Sequence, residues 1–389
     1  MKQCRGKTAS SSQKGLRKLL EVQNRCSLEK PTCSRCRATV RFCEYSAPVL
    51  DSTPEMPIRI PYDSPTGGLP YLRKHFQRGV VSGSNEKEEL DFSTAHLVPN
   101  PNAENIRHRW LKPYIVTPAG HDETPKVYHP STIQYISQTL STYPRHMLSD
   151  EEVPPVIHSA QIRGENIPVA LANCYSLVRM WERIVPGSEG LVVNTLAKEM
   201  NRLAEEYPQQ DYELLAAFQA YLIYTIMIYF HPLNGFPLMT DNTIITLMDL
   251  ASRTAQNGLL CAAEIAHTRP SWESWILVAA KRRTIATMYL LSSVYNADHL
   301  LPNFVAEEMR GSFVPGNKAL WGASDRRSWV REYDRYLLDW EDGELEISEL
   351  WRSEGIESIE RRGRIERWVQ ASDEFGMVLF TVCAHVHGC

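Results

Sequence analysis

The most hydrophobic stretch of the chain, Leu214 to Phe230, sets the pattern for what surrounds it. Its 17 residues carry only Gln219 and Thr225 as polar interruptions besides tyrosines, so no polar face is set aside for water. A helix that is apolar all round is either buried or spans a membrane. Spanning takes about 20 apolar residues. This run is shorter and stops at His231-Pro232, which predicts a central, fully buried helix capped by Asp211 and no membrane partner.

On either side, apolar residues recur three and four apart, the helical period. Ile106, Trp110 and Tyr114 follow it, with Pro113 breaking the helix before the third position. Ser131 is the expected N-cap of a helix with Ile133, Ile136 and Leu140 on one face, ended by Pro144. Pro168 opens a helix with the stripe Leu171, Cys174, Leu177, Val178 and Trp181, and Gly187-Ser188 separates it from one carrying Leu196, Met200 and Leu203. Asp241 or Asn242 starts a helix with Ile244, Ile245, Leu247, Met248 and Ala251. Pro270-Ser271 opens a long one, Trp272 to about His299, ended by Leu300-Leu301-Pro302. Trp321, Trp329, Tyr333, Leu337 and Trp340 mark further helices, and a last helical stretch runs from Glu357 to Val382. No strand alternation or internal repeat interrupts the series, so the predicted class is all-α.

Ahead of this part the pattern is different. Residues 46–103 are rich in Pro, Ser, Gly and charge, the composition of a linker; within it, Asp91 to Pro99 reads as a short docking segment. Charge is split as well. Residues 1–45 hold 11 Lys/Arg against three acids, although the whole chain of 389 residues is at −4. A basic head on an acidic body suits a nucleic-acid-binding module joined to a partner-binding domain. The dispersed cysteines do not form a disulfide framework, and a reducing compartment is expected. None of the common nucleophile-elbow, phosphate-loop, dinucleotide or H-E-x-x-H motifs occurs, so no enzyme activity is expected.

Four of the nine cysteines cluster in CSLEKPTCSRCRATVRFCEY: Cys26, Cys33, Cys36 and Cys43, at gaps of six, two and six residues. Thiolates are soft ligands, and four of them fill the tetrahedral shell of Zn2+ at about 2.3 Å per bond. This stretch resembles the second half of the fungal Zn(II)2Cys6 binuclear zinc cluster, whose pattern is C-x2-C-x6-C-x6-C-x2-C-x6-C. The four cysteines match its third to sixth, Lys30-Pro31 its loop, and Tyr45 the aromatic that often follows. The first two cysteines of the pattern fall on Leu16 and Leu19, and the basic helix after the second is here Leu20 to Arg25, in which only Arg25 is basic.

The helical part also resembles the large regulatory domain that follows such clusters in fungal transcription factors. The likeness lies in Asn105 to Tyr114, Leu171 to Glu182, Leu214 to Leu222, and Trp272-x-x-Trp275 followed by Lys281-Arg282-Arg283. It continues through Leu300-Leu301-Pro302, Leu320 to Ala323 and Asp373 to Val378. The resemblance implies a basic arm over 1–25, a partial zinc cluster over 26–45, a linker over 46–103 and a helical regulatory domain over 104–389. It implies Zn2+ on the four cysteines and phosphate contacts from Arg25, Lys30, Arg35, Arg37 and Arg41 to double-stranded DNA. Transcriptional co-regulators, a small-molecule effector and a place in the nucleus are implied with it.

Two further motifs admit two readings each. Trp272-x-x-Trp275 with Arg282-Arg283 marks either an effector pocket or, as preferred here, core tryptophans and arginines paired with acids. His385-x-His387-x-Cys389 is either a metal site or, as preferred, a frayed terminus.

Overall fold

Leu214 to Phe230 becomes the axis of a helical body, because every residue from Leu214 to Ile228 is buried. The computed structural model describes residues 90–114, 125–149, 152–163, 167–233, 235–236, 238–351 and 359–388, all within one unit, Ser84–Cys389. The helices run in the order α1 (Ala103–His108), α2 (Pro130–Leu140), α3 (Tyr143–His146), α4 (Val169–Glu182), α5 (Glu189–Glu205), α6 (Asp211–Phe230) and α7 (Asp241–Gln256). They continue with α8 (Ala262–Ile265), α9 (Trp272–Asp298), α10 (Lys318–Trp321), α11 (Arg326–Asp339), α12 (Ile359–Ala371) and α13 (Glu374–His387), with short 3-10 turns between. Two two-residue strands, β1 (Leu97–Val98) and β2 (Leu260–Cys261), pair antiparallel with Leu97 opposite Cys261. The class is all-α.

Helix α6 is wrapped by α3, α4, α5, α7 and α9. It is the one described helix long and apolar enough to cross a membrane, and 83% of its apolar window is buried inside the fold. The expected stripe of α4, from Leu171 to Trp181, is buried against it. Helix α9 is the second axis. It is 27 residues long and is buried on nearly every face from Trp272 to Tyr295.

Local chemistry moves several helix ends from where the pattern puts them. Helix α2 is capped by His129 rather than Ser131: Pro130 takes the first turn, where its missing N–H costs nothing, and His129 Nδ1 accepts from Ser131 N. Asp211 is the first residue of α6, after Gln210 as N-cap, and its carboxylate is spent on Lys281. After α1 the chain tightens into a 3-10 turn, Arg109–Tyr114, that contains Pro113. The stretch expected from Glu357 to Val382 is two helices. Asp373 N-caps the second by accepting from Gly376 N at 2.9 Å, which ends the first at Ala371.

Residues 90–102 lie on this body. Phe92 stacks on Tyr212 at 4.0 Å and β1 pairs with β2, so Asp91 to Pro99 docks as expected. The docking depends on a glycine. Gly258 has φ +119°, and a Cβ there would stand 2.2 Å from the Val98 carbonyl oxygen. Only a residue without a side chain lets β1 approach so closely.

Candidate functional site

The expected zinc ligands Cys26, Cys33, Cys36 and Cys43 and the expected DNA contacts Arg25, Lys30, Arg35, Arg37 and Arg41 lie outside the described residues. Among the described residues, no group of three or more His, Cys, Asp or Glu stands together as a metal site would. A layer of charge and a cavity are among the places where polar groups enter the interior of the helical body.

The first is a layer of charge across the middle of α9. Lys281, Arg282 and Arg283 follow one another, so on a helix they point about 100° apart and must find separate partners. Each finds an acid on a different element. Lys281 Nζ donates to Asp211 Oδ2 at the start of α6, and also to the Gly258 carbonyl at 3.2 Å. Arg282 meets Glu264 of α8 at 2.9 Å and the Leu259 carbonyl at 3.0 Å. Arg283 meets Asp373 at 2.6 Å and lies 3.9 Å over the Trp321 ring. All three bases are buried, to 0%, 4% and 1% exposure.

Burial pulls the Lys281 and Arg283 pKa values below their ordinary values. At Arg282, burial pulls the same way, but the Glu264 carboxylate overcomes it and the value rises. Glu344 sits beside this layer with its Oε1 buried and unbonded. Burial first, then the charge on Glu264, push its carboxyl up to about 8.

Trp272 and Trp275 are core, as preferred from the sequence. With Trp321 they cage His158, whose ring meets them edge-on at 4.9–6.3 Å. His158 Nδ1 accepts from Ala160 N, and burial, then the charges of Arg283 and Arg163, lower its pKa to about 3. His231 Nε2 is held at 3.1 Å from the Ser141 carbonyl. The last helix is not frayed. It continues through His387, and His385 Nδ1 lies 3.2 Å from Thr132 Oγ1 on α2; Cys389 lies outside the described residues.

The second feature is a cavity of about 340 Å3 between α7, the last turns of α9 and the 3-10 turn after α1. Helix α7 gives Asp241, Ile244, Ile245 and Met248; α9 gives Ser292, Tyr295 and Asn296. Both sets are spaced as one helix face. Trp110, Leu111, Pro113 and Tyr114 form a wall, and Leu301 and Phe304 close the remaining side. Tyr295 Oη donates to Asp241 Oδ1 at 2.9 Å. Arg109, also in the lining, is tied at 2.6–3.1 Å to the Phe304 and Val305 carbonyls and Glu308.

The charge layer ties α9 to the start of α6, to α8 and to the start of α13. Over 344 residues the chain is 22% identical to "Transcription factor gsfR2" of Penicillium aethiopicum, covering 81% of this chain and 82% of that protein. The chain is similar to a fungal transcription factor. The fifth of the chain left out is shorter than the segment before the helical part, so most of that part is included in the match. No family model matches the chain, and no solved structure matches it.

Sequence reasoning missed the acids Asp211, Glu264 and Asp373 as partners of the α9 bases, and Glu344 beside them. A signal for them was present. Three consecutive bases inside a helix otherwise dense in Trp, Leu, Val and Ala require buried counter-charges somewhere in the chain.

Proposed function

We propose that the protein is a zinc-dependent, DNA-binding regulator of transcription in a fungal nucleus, whose helical body receives co-regulators or an effector. The observation that carries this reading is the similarity to a transcription factor over four-fifths of both chains. The spacing of the cysteines supports the zinc part. Cys26, Cys33, Cys36 and Cys43 supply four thiolates, the donor set that Zn2+ takes in structural sites. So short a segment has no core of its own, and metal binding provides its folding free energy. Arg25, Lys30, Arg35, Arg37 and Arg41 meet phosphates of double-stranded DNA, contacts that position the module without reading sequence.

A second reading is favoured by Leu16 and Leu19, which stand where the resemblance places two more cysteines. On that reading the chain is an interaction protein derived from a regulator, acting through the helical body without binding DNA.

Zinc content per purified chain, measured beside binding to random duplex DNA over a salt series, separates the two. The regulator reading expects at least one zinc. It also expects log affinity to fall against log salt with a slope of about −4.5, near −0.9 for each of the five phosphate contacts. Cys33→Ser with Cys36→Ser is expected to remove both the zinc and the binding. Absence of zinc and of duplex binding in the unaltered protein leaves the interaction protein standing.

A further inference from the structure

The cavity beside α7 and α9 holds hydrogen-bonding capacity that the fold does not use. Asp241 spends Oδ1 on Tyr295, and no described residue bonds its second oxygen. Asn296 Nδ2 in the lining donates to the Pro302 carbonyl and Asn303 Oδ1, and Arg109 is tied to Glu308 and two carbonyls. The walls are otherwise largely apolar or aromatic, with Trp110, Tyr114, Ile244, Ile245, Met248 and Phe304. Few polar groups on largely apolar walls is the usual make-up of a small-molecule site, and 340 Å3 falls at the lower end of their range of about 300–1,000 Å3.

We propose that this cavity binds an uncharged, bicyclic-sized ring compound that donates a hydrogen bond to Asp241. The charges in the lining decide against an ion. The lining holds one acid, Asp241, and one base, Arg109, so it offers no net charge to either sign. The guanidinium cannot turn to an anion without giving up Glu308 and two carbonyls, and its face is already on the Tyr289 ring at 4.7 Å. An anion would also meet the Asp241 carboxylate. A cation would gain only one acid, which lies exposed to water at the mouth, and would lose its hydration against apolar walls.

Binding is a property of the helical body by itself. Its use as an effector site rests on the regulator reading above.

The test takes the full chain and three probes of one size: neutral 2-naphthol, anionic 2-naphthoate and cationic 2-naphthylmethylammonium, by titration calorimetry at pH 7. The neutral probe is expected to bind with Kd below about 1 mM and at least tenfold more tightly than either ion. Ile245→Trp, on a half-buried position of α7, fills the cavity and is expected to abolish binding while circular dichroism stays unchanged. Asp241→Asn, at an exposed position, is expected to narrow the gap between naphthol and naphthoate.

Charged probes that bind as well as the neutral one, binding that survives Ile245→Trp, or no saturable naphthol binding would each overturn the proposal. Zinc and duplex binding, measured on the same preparation, report on the regulator reading separately, so either idea can fail while the other stands.

Discussion

Burial, and after it the Glu264 carboxylate, push Glu344 up to about 8, whereas a glutamate in an unfolded chain titrates near about 4.3. Between those values the folded protein holds a proton that the unfolded chain has lost. The contribution of Glu344 is therefore fully present at low pH and declines as pH rises, by up to about 1.4 kcal/mol per unit. His158 and His387 act the other way. Burial, the first cause at both, lowers them to about 3 and about 4, so their contribution is lost as pH falls below about 6.5. Together these three groups place the stability maximum near pH 6.5. Glu344→Gln is expected to remove the decline between pH 6.5 and 8 and, because Glu344 offsets part of the histidine slope above about pH 4.3, to steepen the rise on the acid side, read as Tm by circular dichroism from pH 4 to 8. A variant whose Tm still falls as steeply on the alkaline side would show that Glu344 is not the titrating group. None of this was legible in the sequence, where Glu344 is one acid among 46. Its pKa comes from the burial and the second carboxylate that only the folded arrangement supplies.

Among the elements, β1 and β2 are the smallest and depend on a single position. Gly258→Ala places a methyl group against the Val98 backbone and strains φ +119° as well. The substitution is expected to cost about 1–3 kcal/mol and to expose the Asp91 to Pro99 segment to proteolysis first. Equal Tm and equal cleavage in variant and parent would count against the close approach. The long elements were legible. Helices α6 and α9 fall within three residues of their apolar runs, because a run that long has nowhere to go but inward. The displaced ends follow from side-chain chemistry that periodicity does not see: Pro130 starting α2 early, and Asp373 splitting the last stretch while also holding Arg283. The cavity was not legible at all. Ile244, Ile245 and Met248 have the spacing of an ordinary core stripe, and only the approach of Trp110 and Tyr114 from one segment and Ser292 from another leaves space in front of them.

At the scale of the whole molecule, zinc and the helical body are expected to be separable. The described residues hold no grouped metal ligands, and the body is closed around two buried helices. A strong chelator is therefore expected to abolish duplex binding and leave the helical circular dichroism and its Tm within about 2 °C, since a loss of even 1 kcal/mol shifts Tm by about 2–4 °C in a domain of this size. A chelator-induced fall in Tm beyond that would mean the metal braces the body. The enclosure of α6 has one more consequence, for the chain while it is being made. The segment emerges from the ribosome before α7 and α9, which cover it, and α9 is complete only at Asp298. At about 5–20 residues per second, the faces of this oily rod that α7 and α9 cover stand bare for several seconds in every round of translation. The nascent polypeptide thus presents holdase chaperones with a ready grip at Leu214 to Phe230, and slowing elongation across Asp241 to Asp298 would lengthen that exposure and raise the fraction lost to aggregates.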